Sequence, residues 1–119
     1  MKKILVVDDE ENIVFALRLL LEKSGYEVLT ASDGLMALEV YQKFKPDVVL
    51  LDIMMPKLDG FETAKEFRKL DVDSQLRIIF LSAKGATLDK MVAYEKGGDD
   101  YIVKPSNNTE ILEKIEDLL

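Results

Sequence analysis

The stretch Asp47-Val48-Val49-Leu50-Leu51-Asp52-Ile53-Met54-Met55-Pro56 decides the fold. Four consecutive apolar residues read as a strand buried on both faces, since a strand with one wet face would alternate. The run ends on a carboxylate, with three more apolar residues behind it. A carboxylate at the edge of a core is costly to desolvate unless something pairs with it. Asp52 therefore predicts a partner elsewhere in the chain.

Similar runs lie to either side. The strand candidates are Ile4–Val7, Tyr26–Ala31, Val48–Leu51, Leu76–Leu81 and Tyr101–Val103. The mixed stretch Tyr26-Glu27-Val28-Leu29-Thr30 suits a sheet edge. Helical spacing fills the gaps. Ile13, Ala16, Leu17, Leu20 and Leu21 repeat at i, i+3, i+4, i+7, i+8, with Gly25 as the predicted C-cap. Ala37, Leu38 and Tyr41 mark a second helix stopped before Pro46. Phe61, Ala64, Phe67 and Leu70 mark a third, begun near Asp59-Gly60. Leu88, Met91 and Val92 mark a fourth, closed by Gly97-Gly98, and a fifth runs from Glu110 to Leu119. Strict β/α alternation implies a parallel sheet with helices on both faces. Five strands suit the flavodoxin-like order 2-1-3-4-5, whose ligands bind at the carboxyl ends of the strands, where strands one and three part. Residues 1–119 read as one domain, with no linker or repeat.

Composition narrows the chemistry. The chain has no Cys and no His, so disulfides, thiolate nucleophiles and imidazole ligands are excluded. Carboxylates, hydroxyls, lysines and backbone remain, and carboxylates select hard cations such as Mg²⁺. A net charge of −7 argues against direct binding of nucleic acid. No apolar run approaches a membrane span or a signal peptide, and the expected location is cytoplasmic.

The predicted strands end in Asp8-Asp9, Asp52, Ser82 and Lys104-Pro105. Taken singly, each has a plainer role: Asp9 as an N-cap, Asp52 as a turn former, Ser82 as a strand-end hydroxyl bonded to backbone, Lys104 as an exposed charge. Their conjunction on one rim is what no packing requirement explains. Three carboxylates at close range repel, a standing cost unless a divalent cation joins them.

These residues resemble the receiver domain of bacterial two-component response regulators. The resemblance covers the whole chain. It rests on Ile4-Leu5-Val6-Val7-Asp8-Asp9-Glu10, Asp52-Ile53-Met54-Met55-Pro56 with Asp59-Gly60, Leu81-Ser82-Ala83-Lys84, and Gly97-Gly98-Asp99-Asp100-Tyr101-Ile102-Val103-Lys104-Pro105. The resemblance implies that Asp52 is a nucleophile that accepts a phosphoryl group. It implies Mg²⁺ (or Mn²⁺) bound by Asp9, Asp52 and the Met54 carbonyl, with Asp8 acting largely through water. Lys104, Ser82 and Ala83 would contact the phosphoryl oxygens. Ser82 would be the switch hydroxyl and Tyr101 the aromatic that follows it, and the Lys104–Pro105 bond would be cis. The chain would catalyse its own phosphorylation and dephosphorylation while serving chiefly as a signalling module.

The chemistry agrees with those roles. A carboxylate nucleophile is already ionised at neutral pH and needs no general base. Without histidine the chain cannot carry a phosphohistidine itself, and the resemblance implies that the donor is another protein, a sensor histidine kinase or a histidine phosphotransfer protein. The output surface implied is that of the fourth helix, fifth strand and fifth helix, in a monomer or a weak phosphorylation-dependent dimer. The resemblance is not complete: Ser106 stands where relatives often carry a large apolar residue, Gly98 where alanine is frequent, and Ser82 where threonine is commoner. Met54 and Lys84 occupy positions that influence phosphate lifetime. Two other classes fit less well. A haloacid-dehalogenase-type phosphatase resembles Asp-x-Asp after strand one and needs room for a cap. A flavodoxin needs a hydroxyl-rich phosphate loop where Asp8-Asp9-Glu10-Glu11 would repel phosphate. A receiver-shaped module that is never phosphorylated is the remaining alternative.

Overall fold

The computed structural model describes residues 1–83 and 88–119; the expectation for Lys84 lies outside the described residues. The elements are β1 (Lys3–Val7), α1 (Glu11–Lys23), β2 (Glu27–Ala31), α2 (Gly34–Phe44), β3 (Val48–Asp52), α3 (Gly60–Leu70), β4 (Arg77–Ala83), α4 (Lys90–Glu95), β5 (Asp100–Lys104) and α5 (Asn108–Leu118). The strands pair in parallel in the order β2-β1-β3-β4-β5, the predicted doubly wound sheet. The continuous apolar runs occupy the three central strands, where both faces are covered. The mixed β2 takes one edge and β5 the other.

Alternation along the strands sorts the core into two halves. Ile4, Val6, Val48, Leu50, Ile79, Leu81 and Ile102 pack with Leu17, Leu21, Ile111 and Ile115 of α1 and α5. Leu5, Val7, Val49, Leu51, Ile78 and Phe80 pack with Ala37, Ala64, Phe67 and Ala93 of α2, α3 and α4. The same period carries Asp52 and Lys104 onto the α1/α5 side of the sheet, and Ser82 and Tyr101 onto the other. Ladder pairing extends further than expected. β3 includes Asp52, and β4, although it starts one residue later than expected at Arg77, continues through Ser82 to Ala83, which pair with Val103 and Lys104.

Local chemistry fixes the helix ends. Asp59 and Glu62 form a capping box at the start of α3, and Asp33, Asp89 and Asn107 cap α2, α4 and α5 through their side chains. Because Asn107 is the cap, α5 begins two residues before the predicted Glu110. Gly25 lies one residue beyond the C-cap of α1, Ser24, at φ 94°. Its N–H donates to the Glu22 carbonyl while Tyr26 N–H donates to Leu21. Gly97, at φ 96°, closes α4 with the same pair of bonds. Both are Schellman closures, which need the left-handed conformation that glycine adopts without strain.

One side chain ties distant segments together. Arg68, near the end of α3, donates to the Gly97 carbonyl at 2.7 Å and the Leu76 carbonyl at 2.7 Å. It also pairs with Asp71 at 3.1 Å and Asp99 at 3.0 Å. Asp99 in turn accepts from Ile78 N–H at 2.8 Å. The guanidinium thus joins α3, the start of β4 and the α4–β5 connection.

Candidate functional site

Asp52 closes β3, Asp8 follows β1 directly and Lys104 closes β5, so the sheet order brings all three to one rim. The Lys104 Nζ lies 3.1 Å from Asp8 Oδ2 and 3.4 Å from Asp52 Oδ1. The partner that Asp52 predicts is therefore Lys104. It is a shared partner, because Glu10 Oε1 also lies 3.4 Å from the amine. Carboxylate oxygens of Asp8, Asp9 and Asp52 lie within 4.8 Å of one another. Asp8 and Asp52 are buried, whereas Asp9 is exposed at the mouth.

Asp9 does not cap α1, the plainer role open to it. The cap position is Glu10, which makes no side-chain capping bond. Instead Asp8 Oδ1 accepts Glu10 N–H at 3.0 Å, so the buried carboxylate sets the entry into α1 and Asp9 is left facing outward.

The backbone below Asp52 is held by a close approach. Gly60 N–H donates to the Ile53 carbonyl at 2.8 Å. A Cβ at position 60 would lie 2.6 Å from Ile53 Cα and collide with the Asp52 carbonyl oxygen. Only glycine lets α3 begin against the strand end.

Charge at the rim is incompletely balanced. Burial, reinforced by the neighbouring Asp8 and offset by Lys104, pushes the Asp52 carboxyl up from 3.8 to about 6. Burial acts to lower the Lys104 pKa, but the Asp52 and Asp8 carboxylates outweigh it and the amine is held above its ordinary value. One amine thus pairs with Asp8, Asp52 and Glu10, while Asp9 adds a further negative charge at the mouth. An all-oxygen donor set with excess negative charge fits a hard divalent cation.

The remaining predicted residues divide. Ala83 ends β4 in register with Lys104, and it borders a groove of about 580 Å³ together with Asp52, Met54 and Lys104. Met54 lies just past β3 with its side chain exposed, and its N–H makes a long 3.4 Å contact to Asp52 Oδ1. The Lys104–Pro105 bond is cis. Ser82 is buried, but its hydroxyl donates to the Ala83 carbonyl at 3.4 Å and lies on the opposite side of the sheet from the Asp52 side chain. The strand-end role open to Ser82 is thus the one seen here. Tyr101 stands on edge strand β5 in register with Phe80, packed against the α2–α4 half of the core. Arg68 is not singled out by sequence reasoning, and Glu10 and Gly60 enter it only inside longer motifs. For Glu10 the signal was present, a third acid directly after Asp8-Asp9.

Three acids and a lysine thus meet at the carboxyl rim of a doubly wound parallel sheet. The family model for the response regulator receiver domain matches residues 4–116, and the chain belongs to that family. It is 47% identical over 118 residues to the alkaline phosphatase synthesis transcriptional regulatory protein PhoP of Bacillus subtilis. It is 48% identical to the probable transcriptional regulator ycf27 of Cyanophora paradoxa. Each match covers 99% of this chain and 48% of the relative, so the chain spans about half the length of these curated relatives. Among solved structures it resembles the Thermotoga maritima response regulator TrrA in complex with Mg²⁺ and BeF, with TM-score 0.88, 41% identity and full coverage of both chains. It also resembles the Vibrio cholerae chemotaxis protein CheY4, with TM-score 0.91, 33% identity, and coverage of 100% of this chain and 99% of that one.

Proposed function

We propose that this chain, residues 1–119 as one receiver domain, is a switch turned on by phosphorylation of Asp52. The observation that carries the reading is the convergence of Asp8, Asp9 and Asp52 within 4.8 Å, with the Lys104 amine 3.4 Å from Asp52. In the reaction, an Asp52 carboxylate oxygen bonds to phosphorus while the P–N bond of a phosphohistidine donor breaks and imidazole leaves. Asp52 is mostly ionised at neutral pH even with its pKa at about 6, so it needs no base. Lys104, held charged, stands ready to contact a phosphoryl oxygen, and Ala83 borders the space that the group would occupy. Mg²⁺ (or Mn²⁺), held by Asp8, Asp9, Asp52 and the Met54 carbonyl, would neutralise charge on the phosphoryl oxygens when bound. The donor class is the one that membership of the receiver family supports, a sensor histidine kinase or a histidine phosphotransfer protein, since this chain has no histidine to carry a phosphohistidine itself. Ser82 and Tyr101 relay the change to the α4–β5–α5 face for an output partner. The setting is cytoplasmic, and the protein acts as a monomer or a weak phosphorylation-dependent dimer.

Incubation with Mg²⁺ and a small acyl-phosphate donor tests the reading by intact mass. One phosphoryl group should add to the parent and none to Asp52→Asn. Equal labelling of the two proteins would remove the assignment.

A further inference from the structure

The α5 side chain Lys114 reaches over the sheet edge to β5 and makes two contacts there. Its Nζ pairs with Asp100 Oδ1 at 3.2 Å and lies 5.5 Å from the centroid of the Tyr101 ring. Asp100 Oδ1 also accepts the Tyr101 N–H at 2.8 Å, so the carboxylate that orients the lysine also holds the backbone of the ring's own residue. The pair is not loosely hydrated: the side chains of Lys114 and Asp100 are 28% and 13% exposed. The ring is half-buried, packed against the core half that includes Phe80 and Ala93. A cation placed on an aromatic ring favours the rotamer that keeps the ring beneath it.

We propose that Lys114 is a latch on Tyr101. It is a positioning residue that stabilises the ring in its present rotamer, so that the switch stays off until Asp52 is modified. This rests on the reading of Asp52 as phosphoacceptor and Tyr101 as the moving aromatic, and it adds what holds the off state. A modified Asp52 biases the two ring states only by their difference in free energy. A contact made in one state alone sets the starting ratio, and removing it makes the on state easier to reach.

The chain has four tyrosines and no tryptophan. Fluorotyrosine labelling therefore gives four ¹⁹F signals, and Tyr101→Phe identifies the one of interest. Titration with beryllofluoride and Mg²⁺ supplies the on state. In Lys114→Met, which keeps the aliphatic stem and loses the charge, the Tyr101 signal of the probe-free protein should move toward its beryllofluoride position. Beryllofluoride should also bind about two- to fivefold more tightly, the size expected for one surface cation–π contact. Lys114→Arg should restore both values, because a guanidinium pairs with carboxylates and stacks on rings. Asp100→Asn, which leaves the amine without its anchor, should move both readouts in the direction of Lys114→Met. A merely structural lysine would change the melting temperature and leave beryllofluoride affinity alone. Equal affinity in the parent and Lys114→Met overturns the latch while leaving the Asp52 site standing. A parent that binds no beryllofluoride overturns the reading of Asp52 and the latch with it.

Discussion

At the scale of one residue, Asp52 sets folding against chemistry. It is 3% exposed, shares one amine with Asp8, and its pKa is raised to about 6 by burial first and by Asp8 second. In the unfolded chain the same carboxyl titrates near its ordinary value of about 3.9. Between the two values the native state holds more protons than the unfolded state, so stability falls as pH rises through that window. Asp52 therefore costs the metal-free protein stability at neutral pH, on the order of 1–2 kcal/mol once screening at the open rim is allowed for. The expected outcome is a difference between two urea-unfolding profiles taken without divalent cation. From pH 4 to 6.5 the parent should lose stability relative to Asp52→Asn, and above that the gap should stay constant. Excess Mg²⁺ should narrow it. Parallel profiles would show that Lys104 alone balances the rim.

At the scale of elements, the site depends on where strands and helices stop, and Arg68 fixes several of those stops together. Its guanidinium spans the end of α3, the Leu76 carbonyl before β4 and the Gly97 carbonyl after α4. Arg68→Ala would leave two carbonyls without this donor and the partly buried Asp71 and Asp99 without their cation, each retaining only backbone N–H donors. It should cost about 2 kcal/mol, and amide exchange should quicken from Gly97 to Asp99 ahead of the rest of the chain. Uniform quickening would mean that Arg68 contributes to global stability alone. The clamp also marks the limit of what was legible in the sequence. The strands were readable because Val48–Leu51 and its counterparts announce burial through local period, and their order follows from strict alternation. Asp8, Asp52 and Lys104 were readable because strand ends in such a sheet meet at one rim. Arg68 to Gly97 is a bond across 29 residues, and no local period encodes it. The crowding at Gly60 was equally hidden, since Asp59-Gly60 reads as a helix start whether or not a strand end lies beneath it. The one-residue extension of β3 to Asp52 was missed because a charged residue reads as an ending, whereas the ladder continues for as long as its neighbour pairs.

At the scale of the whole molecule, the proposed phosphoacceptor and the residues proposed to relay its state lie on opposite sides of the sheet. Asp52 and Lys104 point toward the α1/α5 half of the core, and Ser82 and Tyr101 toward the α2–α4 half. On that reading, a signal from Asp52 would pass round the carboxyl ends of the strands. Ser82 is placed for that passage. It is next to last in β4, one residue past Leu81, the register partner of Asp52, and two residues past Phe80, the partner of Tyr101. Its present hydrogen bond, 3.4 Å to the Ala83 carbonyl, is long and readily exchanged for a charged acceptor. Ser82→Ala should therefore still bind Mg²⁺ and beryllofluoride at Asp52, about tenfold more weakly for the loss of one hydrogen bond to a charged group. It should lose most of the response at distance. Hydrogen exchange or amide shifts at Met91, Tyr101 and Ile111, measured with each protein saturated by the probe, separate affinity from coupling. In the parent all three positions should respond, and in Ser82→Ala the response should stay confined to the neighbourhood of Asp52. An undiminished response at Met91 and Ile111 in the variant would make Tyr101 a static aromatic of the edge strand and send the signal by another path.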